Sequence, residues 1–329
     1  MKPFEYARPE SMPEAFALLE QDMGSTRVLA GGTDLLTLMK AGIAAPERLV
    51  DIKRLHGLSR NIDLTPDGTV LGALTPLAAI ETHVSIQQHY PLLAEAAAVA
   101  ATPQLRNMAT LGGNLLQRPR CWYFRSPHFH CWLKGGEACP AVEGQNQHHA
   151  LFGAGPCYAV HPSDLAPALL ALEAQVRLVG TTGELALPLA DLFALPVDER
   201  RHEANLADDE LLCAVHLPPL PEGTRSTYLK AMDRKTWSFA LVGVAAVLRR
   251  EGPRVVEARV VLSGVAPIPW RATAAEQVLM AGDLSEARVT QAAEAALVEA
   301  TPLAHNFYKV DLAKHLIRRA VFQLAEMTP

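Results

Sequence analysis

Apolar positions along this chain fall into short runs separated by polar and glycine-rich punctuation. Residues 26–30, TRVLA, read as a buried strand, and residues 35–40 read as a helix. Gly31-Gly32-Thr33-Asp34 makes the tight turn between them, where backbone N–H groups can face an anion. Residues 49–52 and 69–74 give two further strands. Thr75-Pro76 then offers an N-cap and a first-turn proline for a helix over 77–83. An Ala-rich helix over 91–101 stops at Thr102-Pro103. Residues 105–115, LRNMATLGGNL, bring a second Gly-Gly pair as a loop after a helix.

From 117 to 156 neither period 2 nor period 3.6 is sustained, and Cys, His, Trp, Gly and Pro accumulate. A structureless stretch this long inside a compact domain is either functional or disordered, and its cysteines and aromatics argue against disorder. Order returns at 157–161, followed by a helix over 164–172, a strand over 175–179 and a turn at 181–184. The proline-rich 218–223, PPLPEG, is the best linker. Strands follow at 225–232, 240–250 and 255–264, with a turn at 251–254, then helices at 272–280, 285–300 and 311–327. Strands followed by helices define an α+β unit. The division expected is 1–222, with an insert at about 117–157, and 223–329.

Composition narrows the function. The 329 residues are enough for about two domains. A net charge of −5 with mixed signs, and no basic stripe interleaved with aromatics, excludes a nucleic-acid binder. No uncharged apolar run is long enough for a membrane-spanning helix. The first ten residues are too polar for a secretory signal, so export is expected only as the passenger of a partner that carries one.

Four of the five cysteines cluster as C-x9-C-x7-C-x17-C between Cys121 and Cys157. Zinc fingers and ribbons want ligand pairs two to four residues apart, and no two of these cysteines are so spaced. Iron–sulfur clusters take four thiolates at family-dependent spacing, and the nearby glycines offer amides to cluster sulfur. His128, His130, His148 and His149 are competing ligands, so a cluster, zinc and unligated thiols all stay open. Cys213, in LLCAV, reads as buried and inert. Lys230, Arg234 and Lys235, at a strand end, read as a solvated rim. The two glycine segments suit a pyrophosphate, with Thr33 and Thr110 as added hydroxyl donors, but either alone is also an ordinary turn. His161-Pro162-Ser163-Asp164 is a turn and helix start capped by Ser163 or Asp164, not a catalytic triad.

Taken in order, LAGGTDLL (29–36), LGALTPLAAIE (71–81), RNMATLGGN (106–114), SDLAPALLAL (163–172) and LSGVAPIPWRA (262–272) resemble the flavoprotein, or medium, subunit of the xanthine dehydrogenase and carbon monoxide dehydrogenase family. Most members join GGN to SDLAPAL far more directly; here Asn114 and Asp164 are 50 positions apart. Two branches carry such an insert with a [4Fe-4S] cluster: 4-hydroxybenzoyl-CoA reductase and the bacterial periplasmic aldehyde oxidoreductases. This insert is more similar to the second.

The resemblance implies an FAD-binding domain of the vanillyl-alcohol-oxidase (PCMH) type, built of two α/β subdomains with FAD between them. A smaller C-terminal α+β domain of the CO-dehydrogenase flavoprotein type follows. Ala30, Gly31, Gly32, Thr33, Asp34 and Leu35, with Thr110, Gly112, Gly113 and Asn114, would hold the pyrophosphate and ribityl chain. Asp164 would lie near the adenosine or ribityl end, and Leu212 and Lys230 would border the flavin ring. Ala100 stands where some members place an aromatic on the flavin. Cys121, Cys131, Cys139 and Cys157 would hold the cluster. A large molybdenum-cofactor subunit and a small [2Fe-2S] subunit are the implied partners, in a heterotrimer or a multiple of it. This subunit would take their electrons and pass them to an external acceptor, in the periplasm by co-export or in the cytoplasm. The alternatives are the FAD subunit of a xanthine dehydrogenase or aromatic-CoA reductase, and a metal-stapled binding protein without enzymatic function.

Overall fold

The structure, a computed structural model, describes residues 1–20 and 25–327. Three sheets organise it. β1 (Glu5–Ala7), β2 (Thr26–Leu29) and β3 (Arg48–Asp51) pair in parallel in the order β1-β3-β2. Helix Leu35–Lys40 makes the crossover from β2 to β3, so the first glycine turn lies at the carboxyl end of β2. Ligands of open α/β sheets gather at that end of the strands.

The second sheet is antiparallel. It comprises β4 (Ile62–Thr65), β5 (Gly68–Gly72), β6 (Gln175–Gly180), β7 (Gly183–Pro188) and β8 (Leu211–Leu217), ordered β4-β5-β8-β6-β7. β8 is central and almost wholly buried, whereas the edge strand β7 is mostly exposed. The third sheet holds β9 (Arg225–Ala231), β10 (Val242–Glu251), β11 (Arg254–Ser263) and β12 (Trp270–Arg271), in the order β12-β11-β10-β9. Its helices Thr273–Met280, Glu286–Ala296 and Tyr308–Ala325 cover one face with Ala, Leu and Val. Helix Leu165–Ala171 is buried on every residue. It shares one apolar core with β6 and β8 on one side and with Tyr228, Ala245, Val247 and Val261 of the third sheet on the other.

Several elements differ from expectation. Thr75 is not the cap of the helix that begins at Leu77; Pro76 holds that position, and the Thr75 hydroxyl donates to the Asn61 carbonyl at 3.1 Å. The Ala-rich helix ends at Ala98, and Ala101 beyond it adopts a left-handed φ of 49°. The second Gly-Gly pair is not a loop. It opens the short helix Leu111–Leu115, where Thr110 Oγ1 accepts from Gly113 N at 3.2 Å. Residues 157–161 form no regular element. β1, β4, β7 and helices Met12–Glu20, Val84–His89 and Pro103–Met108 add to the elements expected from the pattern.

Candidate functional site

A cleft of about 910 Å3 is lined by residues of the parallel sheet and its glycine turn, by Thr110, Gly112 and Gly113, and by Leu211 and Leu212 of β8. The insert supplies another wall, with Phe124, Phe129, His130, Leu133 and Lys134. Gly31 is obligatory because the two glycine segments touch. A Cβ there would lie 2.0 Å from the Met108 carbonyl oxygen. Gly32 turns the chain with a φ of +72°.

The two segments offer different chemistry. Among the described residues, the backbone N–H groups of 31–35 have no hydrogen-bond acceptor. Five adjacent unpaired donors at the start of a helix make a cradle for a pyrophosphate. In the second segment the donors are already used: Leu111 N bonds Thr75 O, Gly112 N bonds Ala73 O at 2.8 Å, and Gly113 N bonds Thr110. Its glycines contribute close approach rather than free donors.

Asp34 turns toward the insert. One carboxylate oxygen accepts from Arg118 N at 2.9 Å, and the other meets Arg120 at 2.6 Å and Arg125 at 2.7 Å. Arg118 also pairs with the buried Glu203 at 3.1 Å. Desolvation lowers the Arg120 pKa to about 10, against the Asp34 charge, which raises it. Its guanidinium lies 5.2 Å from the Phe239 ring centre. Three arginines against two carboxylates leave positive charge beside the free N–H groups, which suits a dianionic ligand. Sequence reasoning missed these arginines, although R-x-R-x4-R in a cysteine-rich stretch is a readable signal.

Asp164 and Lys230 come together, but not at the cleft wall. They form an ion pair of 2.8 Å, with side chains 6% and 1% exposed. Tyr228 OH donates to Asp164 at 2.8 Å, and Lys230 also donates to the Val99 carbonyl at 3.0 Å. Lys230 is therefore no rim residue: it is buried, while Arg234 and Lys235 are exposed as expected. Asn114 also stays off the cleft lining and accepts from the Ser163 hydroxyl at 2.5 Å. Ser163, not Asp164, caps its helix, taking the Ala166 N–H at 2.9 Å. Ala100 is buried.

The four clustered cysteines line one small cavity with Tyr123, Phe124, Trp132, Leu133 and Ala159. Cys121 precedes helix Trp122–Arg125, and Cys131 precedes a single 3-10 turn that ends at Gly135. Backbone N–H groups face the sulfurs: Phe124 and Tyr123 toward Cys121, Ala141 and Tyr158 toward Cys139, Ala159 toward Cys157 at 3.5 Å. Burial pushes Cys121 up to about 11, raises Cys139, and takes Cys157 above the usual thiol range. Thiols so desolvated ionise only when a metal supplies compensating charge.

As the side chains stand, no group of three or more His, Cys, Asp and Glu among the described residues could hold a metal ion. The cavity measures about 10 Å3, room for about one water. The donor set, four thiols lining one cavity with backbone N–H groups facing them, fits a four-thiolate centre. Of the four histidines weighed as ligands, only His149 is buried among the cysteines. Cys213 is buried apart from them, with its thiol on the Leu211 carbonyl.

These features define a flavin-binding protein of two regions. The family model described as the FAD binding domain in molybdopterin dehydrogenase matches residues 2–220, and that of the CO dehydrogenase flavoprotein C-terminal domain matches 227–324. The chain belongs to the FAD-binding subunits of the molybdenum hydroxylase family and is a subunit of an oxidoreductase. It is 38% identical to the aldehyde oxidoreductase FAD-binding subunit PaoB of Escherichia coli (strain K12), across 96% of each chain. It is 31% identical to the carbon monoxide dehydrogenase medium chain of Hydrogenophaga pseudoflava, across 97% of this chain and 96% of that one. The solved carbon monoxide dehydrogenase of H. pseudoflava that lacks the Mo-pyranopterin moiety gives a TM-score of 0.79 at 29% identity, covering 99% of this chain and 98% of that chain.

Proposed function

We propose that this chain carries FAD in the cleft and a [4Fe-4S] cluster on Cys121, Cys131, Cys139 and Cys157. It acts as the electron-transfer subunit of a molybdenum-containing aldehyde oxidoreductase. The free N–H groups of 31–35 hold the pyrophosphate, Thr33 and Thr110 add hydroxyls, and Leu212 borders the flavin ring. Asp164 and Lys230 brace the floor of the site from behind. FAD, when bound, supplies exchange between one-electron and two-electron carriers. The chain itself binds, orients and insulates.

The observation that carries the relay is shared walls. Phe124 and Leu133 line both the cysteine cavity and the cleft, so one layer of side chains separates the two sites. Residues 1–222 are the FAD domain, with the cluster insert at about 117–157, and 223–329 the C-terminal domain. The aldehyde substrate reacts on a large molybdenum-bearing partner, and a small [2Fe-2S] partner delivers the electrons that leave here for an external acceptor. Similarity to PaoB supports the aldehyde class. No helix among the described residues is long and apolar enough to cross a membrane.

The test is anaerobic purification followed by an absorption spectrum and assays for FAD, iron, sulfide and zinc. About one FAD with about four iron and four sulfide per chain is expected for a single cubane. Folded protein with zinc, or with neither flavin nor iron, overturns the reading. Cluster-depleted protein that still passes electrons from substrate to acceptor at full rate removes the relay.

A further inference from the structure

His149 sits inside the cysteine insert without a role in the assignments above. The residue is 2% exposed, and its Nε2 lies 3.2 Å from Cys121 Sγ. The ring meets Trp122 edge-on at 5.6 Å and Tyr123 at 6.0 Å. Its backbone is pinned three times. His149 N–H donates to Asn146 O at 2.9 Å, and its carbonyl accepts from Asn306 Nδ2 and from Lys309 Nζ, both at 3.1 Å. Asn306 and Lys309 are themselves fully buried, so the ring is held from the C-terminal domain. Nδ1 is buried with no partner, whereas Nε2 faces sulfur. The tautomer with its proton on Nε2 turns that contact into an N–H···S bond and leaves only a lone pair unpaired at Nδ1.

We propose that His149 is a positioning residue that donates from Nε2 to Cys121 Sγ and thereby raises the reduction potential of the cluster. This rests on the cluster reading above. Reduction adds one electron to the cluster, part of whose charge resides on the ligating sulfurs. No bond is made or broken, and His149 keeps its proton. A donor aimed at sulfur stabilises the more negative state, so its removal makes reduction harder. A histidine that merely packs against Trp122 has no such effect.

The experiment is a potentiometric titration of the anaerobically purified holo-protein, followed by EPR, with iron and sulfide counted in each sample. His149→Leu keeps the bulk and removes the donor; His149→Gln restores an N–H at similar reach. With iron and sulfide retained, His149→Leu is expected to shift the midpoint negative by about 59 mV, a tenfold change in a one-electron equilibrium. His149→Gln is expected to recover most of it. An unchanged midpoint in iron-replete His149→Leu overturns the inference while leaving the cluster reading intact. Wild-type protein without iron overturns both. Should His149→Leu lose its cluster, wild-type protein labelled with 15N-histidine decides. A weak nitrogen coupling to the reduced cluster supports the hydrogen bond, and its absence, or the strong coupling of a bound nitrogen, refutes it.

Discussion

Breaking the Asp164–Lys230 pair one partner at a time should cost far more than removing both. The two side chains meet at 2.8 Å and are 6% and 1% exposed, so neither charge has water to fall back on. Lys230→Met leaves Asp164 buried with Tyr228 OH as its remaining donor, and Asp164→Asn leaves the ammonium with the Val99 carbonyl. Removing one member of a buried pair typically costs about 3–5 kcal/mol, whereas replacing both with neutral groups of similar size is near neutral. In a domain of this size that is a fall in Tm of roughly 10 °C for each single variant. The double variant Asp164→Asn/Lys230→Met should recover most of the loss, so the coupling energy in the cycle approaches the sum of the two single losses, about 6–10 kcal/mol. Differential scanning fluorimetry on the three variants and the parent measures it, read beside bound FAD. Additive losses in the double variant would refute the argument, because then each residue acts through something other than its partner. Recovered stability without recovered FAD would assign one of the two a direct contact with the cofactor.

Three further outcomes follow from the geometry. Gly31→Ala puts a methyl 2.0 Å from the Met108 oxygen and must spread the two glycine segments; overpacking of this kind costs about 1–3 kcal/mol. FAD retained through gel filtration should fall while far-UV circular dichroism is unchanged, and full retention would refute the close-approach role. His161 is buried, and desolvation lowers its pKa from 6.5 to about 4 against the Leu115 carbonyl, which raises it. The folded state therefore binds fewer protons than the unfolded state between those values. Its contribution is complete above pH 6.5 and is lost as pH falls toward 4, by up to about 3 kcal/mol. Denaturation melts across that window should flatten in His161→Gln, and an unchanged slope would assign the acid sensitivity elsewhere. Asp34→Asn removes the shared negative charge between Arg120 and Arg125; hydrogen bonds to charged groups are worth about 1.5–3 kcal/mol each. Purified variant should lose iron as well as FAD, and loss of FAD with full iron would show that the Asp34–arginine contacts do not couple the two sites.

What the chain reveals without coordinates depends on how local the cause is. The strand, turn and helix around Gly31 were legible because each is set by adjacent residues, and helix Leu35–Lys40 has the bounds that its pattern implies. The second Gly-Gly pair was misread as a loop because glycine disfavours helix by about 1 kcal/mol. There the Thr110 cap and backbone bonds to Ala73 and Thr75 override propensity. Long-range electrostatics were invisible. Asp34 finds Arg118 and Arg125 84 and 91 positions away, and Lys230 finds Asp164 66 positions away, so the sequence around Lys230 looks like an exposed basic rim. The cysteine spacing left the metal open, because spacing says nothing of which N–H groups face the sulfurs. Phe124 and Cys121 illustrate the point: one backbone amide joins cleft wall to cysteine cluster.

The way the insert is fastened also says why it interrupts the chain where it does. It leaves just after the second glycine segment, where Gln117 and Arg118 line the cleft, and returns just before the helix capped by Ser163. In between, Trp132 Nε1 donates to Asp198 at 3.0 Å and Arg201 lies 4.7 Å over the Trp132 ring. Asn306 and Lys309 hold the His149 carbonyl from the C-terminal domain, and Asp34 gathers Arg118, Arg120 and Arg125 from the glycine turn. A segment with no regular pattern of its own thus takes its shape from three neighbours and, on the function proposed above, from a centre held by its four thiols. If that centre is lost, the desolvated thiols are protonated and neutral, and Phe124 and Leu133, which line both cavities, lose the support behind them. The cleft then loses a wall, so loss of the proposed cluster should weaken FAD binding, a linkage that requires the insert between the second glycine segment and the helix capped by Ser163.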